Sequence, residues 1–273
     1  MNAKNVVSYK VLGLNNIAIG STSQVDRDSL RVFFEKIQKD VPSLKKNEFF
    51  ELLNRNGSKT RSIKPRDLVH KEGDLHGAFH FHVFSNNNGG SLLLQKRNDK
   101  KDICPGKLDT VAAGHYAIGE TVRSGMREVR EEIGLRAKFE DAISLGKRIN
   151  YDPHPEVGIM NFELQNVFLF NSTQPIENYR MQASEVAGIV KVPLLGFIDL
   201  MKFKTDIMEK VEALIFNKEG VPFKTQICLT RNDVWPAPFD NYYLKVALVT
   251  SLVIEGKSIP KEPLKQDVSQ YLV

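Results

Sequence analysis

The stretch GETVRSGMREVREEIGL, residues 119–135, combines four glutamates and three arginines with regularly spaced apolar side chains. On a helix with about 100° per residue, the apolar residues form one narrow stripe. The stripe consists of Val122, Met126, Val129 and Ile133. Gly134 stands where a left-handed cap would end a helix. We therefore expect a helix over residues 121–134 that buries one of its sides.

Three glutamates, Glu128, Glu131 and Glu132, fall together on the polar side of this helix. Carboxylates this close repel one another unless a cation or a basic group lies between them. One interpretation is a solvated charged face, which is how most charged clusters behave. The other is a site for a divalent cation, because Mg²⁺ and similar hard ions prefer oxygen ligands.

The wider window GHYAIGETVRSGMREVREEIGL, residues 114–135, resembles the Nudix box. That family pattern reads Gly, five residues, Glu, seven residues, then Arg-Glu-apolar-x-Glu-Glu-x-Gly-apolar. Here the gap from Glu120 to Arg127 is six residues, one fewer than in the pattern. The REVREEIGL half is complete, so metal ligation is the part of the resemblance that carries over.

The resemblance implies an enzyme that hydrolyses a diphosphate linkage with Mg²⁺ or Mn²⁺. Its substrate would be a small molecule, and a nucleoside diphosphate derivative is the first hypothesis. The implied metal ligands are Glu128, Glu131 and Glu132, with Glu120 as a further acidic candidate. Gly114 would let the backbone approach the metal.

The implied catalytic residues include Glu128 and Glu131 themselves. Arg127 would orient a glutamate through a charge-assisted hydrogen bond. In this family the general base is often a glutamate outside the box, and Glu163 and Glu185 are the candidates on later strands.

Two further segments, RDLVHKEGDLHGAFHFHVF and SLLLQKRNDKKDICPGKLDTVAAGH, resemble the isopentenyl-diphosphate isomerase branch of the Nudix fold and its hydrolase relatives. In that isomerase, two upstream histidines, a histidine after the catalytic cysteine and two glutamates bind a metal. The matching positions here are His70, His76, His115 and Glu163.

The chain departs from the isomerase at two positions. Ala113 stands where the isomerase has its catalytic cysteine, and Asn161 stands where it has a partner glutamate. Isomerisation moves protons to and from a carbon skeleton and needs both an acid and a base. Alanine supplies neither, so the resemblance favours hydrolysis over isomerisation.

Several other polar residues are candidates for substrate binding. His115 is a candidate because it follows the box glycine, Gly114. Lys96 and Arg97 lie at the end of a predicted strand, where they would either bind a phosphate or form a solvated strand end. We interpret His80 and His82 as polar-face residues of a strand.

The composition favours a small anionic ligand. The net charge is +5 and the pI is about 9.0, without a basic tract, so nucleic acid is not indicated. Two widely spaced cysteines suit the reducing cytoplasm. We find neither a signal-peptide pattern nor an apolar run long enough to span a membrane.

The predicted fold is α+β: a Nudix fold with a mixed β-sheet sandwiched between helices, and helical extensions at both ends. We predict an N-terminal extension (1–65), a Nudix domain (66–195) and a C-terminal extension (196–273). Predicted helices cover residues 26–40, 47–55, 194–203, 205–216 and 241–256, and a predicted hairpin joins GAFHFHVF to SLLLQKR.

Three functions remain open from the sequence: a diphosphate hydrolase, an isopentenyl-diphosphate isomerase, and a non-catalytic Nudix-fold module that senses a ligand or a partner. The intact REVREE motif counts against the last. The C-terminal helices would either cap the pocket or form the interface of a homodimer.

Overall fold

The computed structural model describes residues 7–44, 48–236 and 240–265. They form two compact units. The first unit comprises Met1–Phe79, His115–Gly125 and Ile149–Gln165, and the second comprises His80–Gly114, Met126–Arg148 and Asn166–Val273. Strands β5 (His76–Ser85), β8 (Ala112–His115), β9 (Ile143–His154) and β10 (Ile159–Asn171) contribute residues to both units.

The first unit contains a mixed sheet and two helices. Its further elements are β1 (Tyr9–Leu12), β2 (Ala18–Thr22), α1 (Arg27–Asp40), β3 (Phe49–Leu53), β4 (Lys59–Pro65) and α2 (Arg66–Glu72). Strand β1 pairs antiparallel with β2 and parallel with β4, and β3 pairs antiparallel with β4 and with the start of β5. The parallel pair makes the sheet mixed, as predicted.

Helix α1 confirms the helix predicted over 26–40. The Asp26 side chain accepts a hydrogen bond from the backbone N–H of Ser29 at 2.9 Å, an N-cap that satisfies one of the free donors of the first turn. Leu30, Phe34 and Ile37 lie on one side of the helix and are buried in the core of the first unit.

The helix predicted over 47–55 is wrong: the described part of this segment contains strand β3. Asn56-Gly57, interpreted as a helix stop, lies in the turn between β3 and β4, where Gly57 adopts a φ of 80°. The segment has apolar residues on both of its faces, and Glu51 is neutralised across the hairpin by Lys59 at 2.9 Å. Pairing with β4 therefore overrides the helix propensity of the segment.

The second unit contains an antiparallel sheet in the order β13-β12-β11-β6-β5, with β7 also pairing with β6. Its further elements are β6 (Ser91–Arg97), β7 (Leu108–Thr110), α3 (Met126–Ile133), β11 (Val186–Pro193), α4 (Leu194–Met201), β12 (Ile207–Phe216), β13 (Pro222–Thr230) and α5 (Tyr242–Ile254). The predicted hairpin is confirmed as β5–β6, and the predicted helices over 194–203 and 241–256 are confirmed as α4 and α5.

The helix predicted over 205–216 is wrong, because this segment is strand β12. Its register against β13 shifts between Met208 and Val211, and Lys210 has a φ of 54°. A bulge inserts an extra residue into a strand. The bulge therefore spaces buried Met208 and Val211 three residues apart, which imitates a helical period.

The α+β class with a mixed sheet is confirmed, although strands lie among the helices of both predicted extensions. The predicted domain boundaries stay a prediction. Within the described ranges, no helix has the length and apolar character needed to cross a membrane.

Candidate active site and metal site

Helix α3 places the glutamates of the predicted box. The helix spans Met126–Ile133, and residues 122–125 form a 3₁₀ turn before it. The helix predicted over 121–134 is therefore confirmed only from residue 126. Met126, Val129 and Ile133 of the predicted stripe are buried, whereas Val122 lies in the 3₁₀ turn and is half-buried. Gly134 follows the helix in the predicted left-handed conformation, with a φ of 66°.

Glu132 is buried rather than solvated. Its side chain accepts a hydrogen bond from the backbone N–H of Ala113 at 3.2 Å, and Nε2 of Gln95 lies 3.5 Å from the same oxygen. Burial, and next the charge of Glu128, raises the pKa of Glu132 to about 8. The Ala113 amide and Lys101 oppose this increase. A buried carboxyl whose pKa is raised by a second carboxyl is a common arrangement at functional sites.

Arg127 joins the other two box glutamates. Its guanidinium lies 2.9 Å from Oε1 of Glu128 and 3.1 Å from Oε2 of Glu131. Glu128 is largely buried, whereas 52% of the Glu131 side chain is exposed. The three glutamates therefore have different surroundings, and Glu128 and Glu132 are the two that the fold withdraws from water. We call Glu128, Glu131, Glu132 and Arg127 the carboxylate site.

Gly114 lies directly against this site. A Cβ atom at position 114 would be 2.5 Å from both the carboxyl carbon and Oε1 of Glu128. Only glycine therefore leaves the Glu128 carboxylate in its present place.

Glu185 and Lys101 form an ion pair in the second unit. The charges of both residues influence the pKa of Glu132, which Lys101 lowers and Glu185 raises. The backbone N–H of Gln182 donates to the carbonyl of Glu132 at 2.9 Å, which fixes the turn before Glu185 to the end of α3.

The two basic strand-end residues have different surroundings. Arg97 donates two hydrogen bonds to the carbonyl of Ile103 and one to Asp109, and its guanidinium lies 4.4 Å from the centre of the Trp235 ring. These contacts hold Arg97 within the protein. Lys96 lies beside it on β6 and is half-buried.

Three histidines of the first unit converge on one point. His70 comes from α2, His76 from the first residue of β5 and His115 from the last residue of β8. One ring nitrogen of each lies within 4.8 Å of the others. We call these three residues the histidine cluster.

Hydrogen bonds orient two rings of the histidine cluster. Nδ1 of His76 lies 2.9 Å from the carbonyl oxygen of Asp74, which can only accept, so Nδ1 carries the proton. Nε2 of His115 lies 2.8 Å from Oε1 of Glu163. Asn161 and Gln165 also donate to the Glu163 carboxylate, at 2.9 Å and 2.6 Å.

The ring nitrogens left over fit a metal ion. In the described part of the chain, Nε2 of His70 and Nε2 of His76 are buried without a hydrogen-bond partner. Burial, and next the neighbouring His115, lowers the pKa of His70 to about 2 and that of His76 to about 4. Both imidazoles are therefore neutral at physiological pH, which is the form that binds a metal.

Two other histidines, His80 and His82, contact the same tyrosine hydroxyl. His82 is fully buried, and its Nε2 lies 2.8 Å from the Tyr242 hydroxyl, while Nδ1 of His80 lies 3.2 Å from the same oxygen. The interpretation of His82 as a polar-face residue is wrong, because helix α5 covers this side of the strand.

Comparison with known proteins assigns the family. The profile described as NUDIX domain matches residues 77–190. An uncharacterized Nudix hydrolase of Clostridium acetobutylicum is 32% identical over 182 residues, which are 66% of this chain and 86% of that protein. This chain belongs to the Nudix family. It is a Nudix-type hydrolase acting on diphosphate bonds.

Other relatives cover different lengths of the Nudix chain. Nudix hydrolase 3 of Arabidopsis thaliana is 34% identical over 149 residues. These residues are 54% of this chain but only 19% of that protein. The isopentenyl-diphosphate Delta-isomerase of Pectobacterium atrosepticum is 30% identical over 40% of this chain and 59% of that enzyme. A solved structure from Deinococcus radiodurans is 17% identical, with a TM-score of 0.41 over 57% of this chain and 90% of that one.

The predicted site residues divide between the two units of the Nudix chain. The second unit holds Lys96, Arg97, Gly114, Arg127, Glu128, Glu131, Glu132 and Glu185, and the first holds His115, Glu120 and Glu163. The Glu120 side chain accepts a hydrogen bond from the backbone N–H of Ala117 at 2.9 Å and so closes its own loop. The roles assigned to all these residues stay predictions.

Sequence reasoning did not select Lys101 or Gln95, although both surround the buried glutamate. The KRNDKKD run contains four basic residues, and no local feature distinguishes Lys101 from the others. Gln95 lies on a strand whose burial is evident only from the sheet.

Proposed function

We propose that this enzyme uses Mg²⁺ or Mn²⁺ to hydrolyse a diphosphate linkage in a nucleoside diphosphate derivative. The observation that carries the proposal is the pair of Glu128, which is half-buried, and Glu132, which is buried, on α3. Gly114 packs against the first carboxylate and the Ala113 amide donates to the second. Two carboxylates one helical turn apart, both shielded from water, are a ligand set for a hard divalent ion.

A divalent ion would neutralise the phosphate oxygens and make the attacking water more acidic. In the proposed site, Glu128 and Glu132 are the principal ligands and Glu131 is a peripheral one. Arg127 holds Glu128 and Glu131 in position. Glu185 is the candidate general base in the same unit, and Lys101, paired with it, would exchange this contact for a phosphate oxygen.

The histidine cluster of the first unit is proposed as a second metal locus. Three imidazoles with a neighbouring carboxylate, Glu163, are a ligand set for Zn²⁺, Co²⁺ or Mn²⁺ rather than Mg²⁺. In this proposal Glu163 orients His115 and completes the ligand set.

Isomerisation of an isopentenyl-type diphosphate is the second candidate function, and the histidine cluster favours it. Ala113 counts against it, because its methyl group and its amide, which donates to Glu132, offer no proton for transfer to carbon. Product analysis with isopentenyl diphosphate separates the two functions, since isomerisation releases no phosphate.

The mild positive charge supports an anionic substrate. The two free cysteines support a cytoplasmic location. A homodimer formed through the C-terminal region remains part of the proposal.

The test is release of phosphate or nucleoside monophosphate from a panel of diphosphates with Mg²⁺ or Mn²⁺. The panel contains ADP-ribose, NADH, dinucleoside polyphosphates, CoA, nucleoside triphosphates and isopentenyl diphosphate. The matched variants are Glu132→Gln and the exposed Glu219→Gln as control. Release that needs metal and disappears only in Glu132→Gln supports the proposal, and silence of the folded wild-type protein overturns it.

A further inference from the structure

A fully buried lysine lies beside the histidine cluster. Lys64 on β4 has no exposed surface, and its ammonium lies 2.5 Å from Oε2 of Glu72, 2.5 Å from Oδ2 of Asp74 and 3.1 Å from Oδ1 of Asn16. Burying an ammonium group costs several kcal/mol unless close partners compensate it. This lysine therefore depends on the turn that supplies its carboxylates.

That turn connects the two elements that carry His70 and His76. Glu72 is the last residue of α2, Gly73 caps the helix with a φ of 69°, and Asp74 leads into β5. Lys64 thus holds the carboxylates on both sides of the cap, two residues after one histidine and two before the other.

Asp74 links the buried lysine to the imidazole of His76. The carboxylate of Asp74 binds Lys64, and its backbone carbonyl accepts a hydrogen bond from Nδ1–H of His76. Lys64 is also the cross-strand partner of Phe50, whose ring stacks on His76 with centroids 5.2 Å apart and an angle of 17°. The ring of His76 is therefore held at its Nδ1 edge by Asp74, which binds Lys64, and on one face by Phe50, the cross-strand neighbour of Lys64.

We propose that Lys64 is a positioning residue of the histidine cluster. It keeps the α2–β5 turn closed, so that His76 presents its unprotonated Nε2 towards His70 and His115. The inference rests on the metal locus proposed above. Without the ammonium, Glu72 and Asp74 would face each other as like charges, the turn would open, and the Asp74 carbonyl would no longer select one tautomer.

The test measures metal binding and the imidazole tautomer in the full chain. Co²⁺ is titrated into wild type, Lys64→Met and Asp74→Asn, and its visible absorption reports histidine ligation. Long-range ¹H–¹⁵N spectra of the metal-free proteins report which nitrogen of His76 carries the proton. Lys59→Met is the matched control, because Lys59 lies on the same strand and pairs with a carboxylate, Glu51, of the same hairpin.

We expect Co²⁺ affinity to fall about 10- to 100-fold in Lys64→Met, the range for partners that orient a metal ligand, and less in Asp74→Asn. The His76 spectrum should change from one tautomer to a mixture in both variants. Lys59→Met should retain wild-type affinity and tautomer. If the role of Lys64 is merely structural, Lys64→Met should lower the unfolding temperature and leave the Co²⁺ affinity and the His76 tautomer unchanged.

Two failures are distinguishable. If wild type binds no Co²⁺ in a manner sensitive to His76→Gln, the metal locus is wrong, and the positioning role is overturned with it. If wild type binds Co²⁺ and both variants match it in affinity and tautomer, only the role of Lys64 is overturned. Should Lys64→Met fail to fold, Asp74→Asn decides, because Lys64 then keeps Glu72 as a partner.

Discussion

The carboxylate site and the histidine cluster each contain side chains that the fold shields from water, but burial acts on those side chains in opposite ways. It raises the pKa of Glu132 and so favours a neutral carboxylic acid, whereas it lowers the pKa of His70 and His76 and so favours neutral imidazoles. A neutral imidazole is already a metal ligand, but a protonated carboxyl must lose its proton first. The histidine cluster is therefore prepared for an ion as it stands, while the carboxylate site depends on the charge of the ion itself.

The largest expected effect separates two neighbouring glutamates of the carboxylate site. Glu132→Gln should lower the Mg²⁺-dependent rate of diphosphate hydrolysis about 10³-fold, or about 4 kcal/mol, because it removes a buried ligand. Glu131→Gln should cost tenfold or less, because this side chain is half exposed and pairs with Arg127. Steady-state kinetics on both variants checks this, and equal losses would contradict the division into principal and peripheral ligands.

The second effect concerns the histidine cluster. His76→Gln should weaken Co²⁺ binding by more than about 100-fold, because an amide replaces an imidazole ligand. Calorimetric titration with Mg²⁺ on the same variant should give the wild-type affinity, since the carboxylate ligands are untouched. A parallel loss of Mg²⁺ affinity would show that the two loci do not bind independently.

The third effect uses a buried histidine that belongs to neither site. Burial, followed by His80 and Arg148, holds the pKa of His82 well below its usual value. The unfolded chain therefore takes up a proton near pH 6.5 that the folded chain does not, and His82 reduces stability as pH falls below that value.

His82→Phe should remove this dependence. The slope of unfolding free energy against pH between pH 6.5 and pH 5 should become shallower by up to about 1.4 kcal/mol per pH unit. Urea denaturation at several pH values measures it. An unchanged slope would mean that His82 is protonated in the folded protein.

The smallest effect is that of Gly114→Ala. The new methyl group would displace the end of a flexible glutamate side chain, Glu128, so stability should change by less than about 1 kcal/mol. The misplaced ligand should nevertheless lower Mg²⁺-dependent turnover about fivefold. Thermal unfolding measures the change in stability, and kinetics on the same sample measure the change in turnover. A large loss of stability with normal turnover would contradict both expectations.

Helix α3 was predictable because its information is local. The three- and four-residue spacings of Met126, Val129 and Ile133 define the buried stripe, and Gly134 marks the end of the helix. The failures at β3 and β12 have the opposite cause. Whether Phe49–Leu53 is a helix or a strand depends on pairing with β4, and the apolar spacing in β12 reflects a bulge that exists only within a paired sheet.

The resemblance to the Nudix family, the α+β class and the acidic residues of α3 could all be predicted from local sequence patterns. One helical period places the α3 side chains without reference to the rest of the chain. The burial of Glu132 beside the exposed Glu131 could not be predicted in this way, since it depends on Gln95 and Ala113 from distant strands. The same holds for the histidine cluster. Its three rings come from three separate elements. Their convergence, and the lowered pKa values of His70 and His76, arise from burial and from contacts between elements that no local pattern encodes.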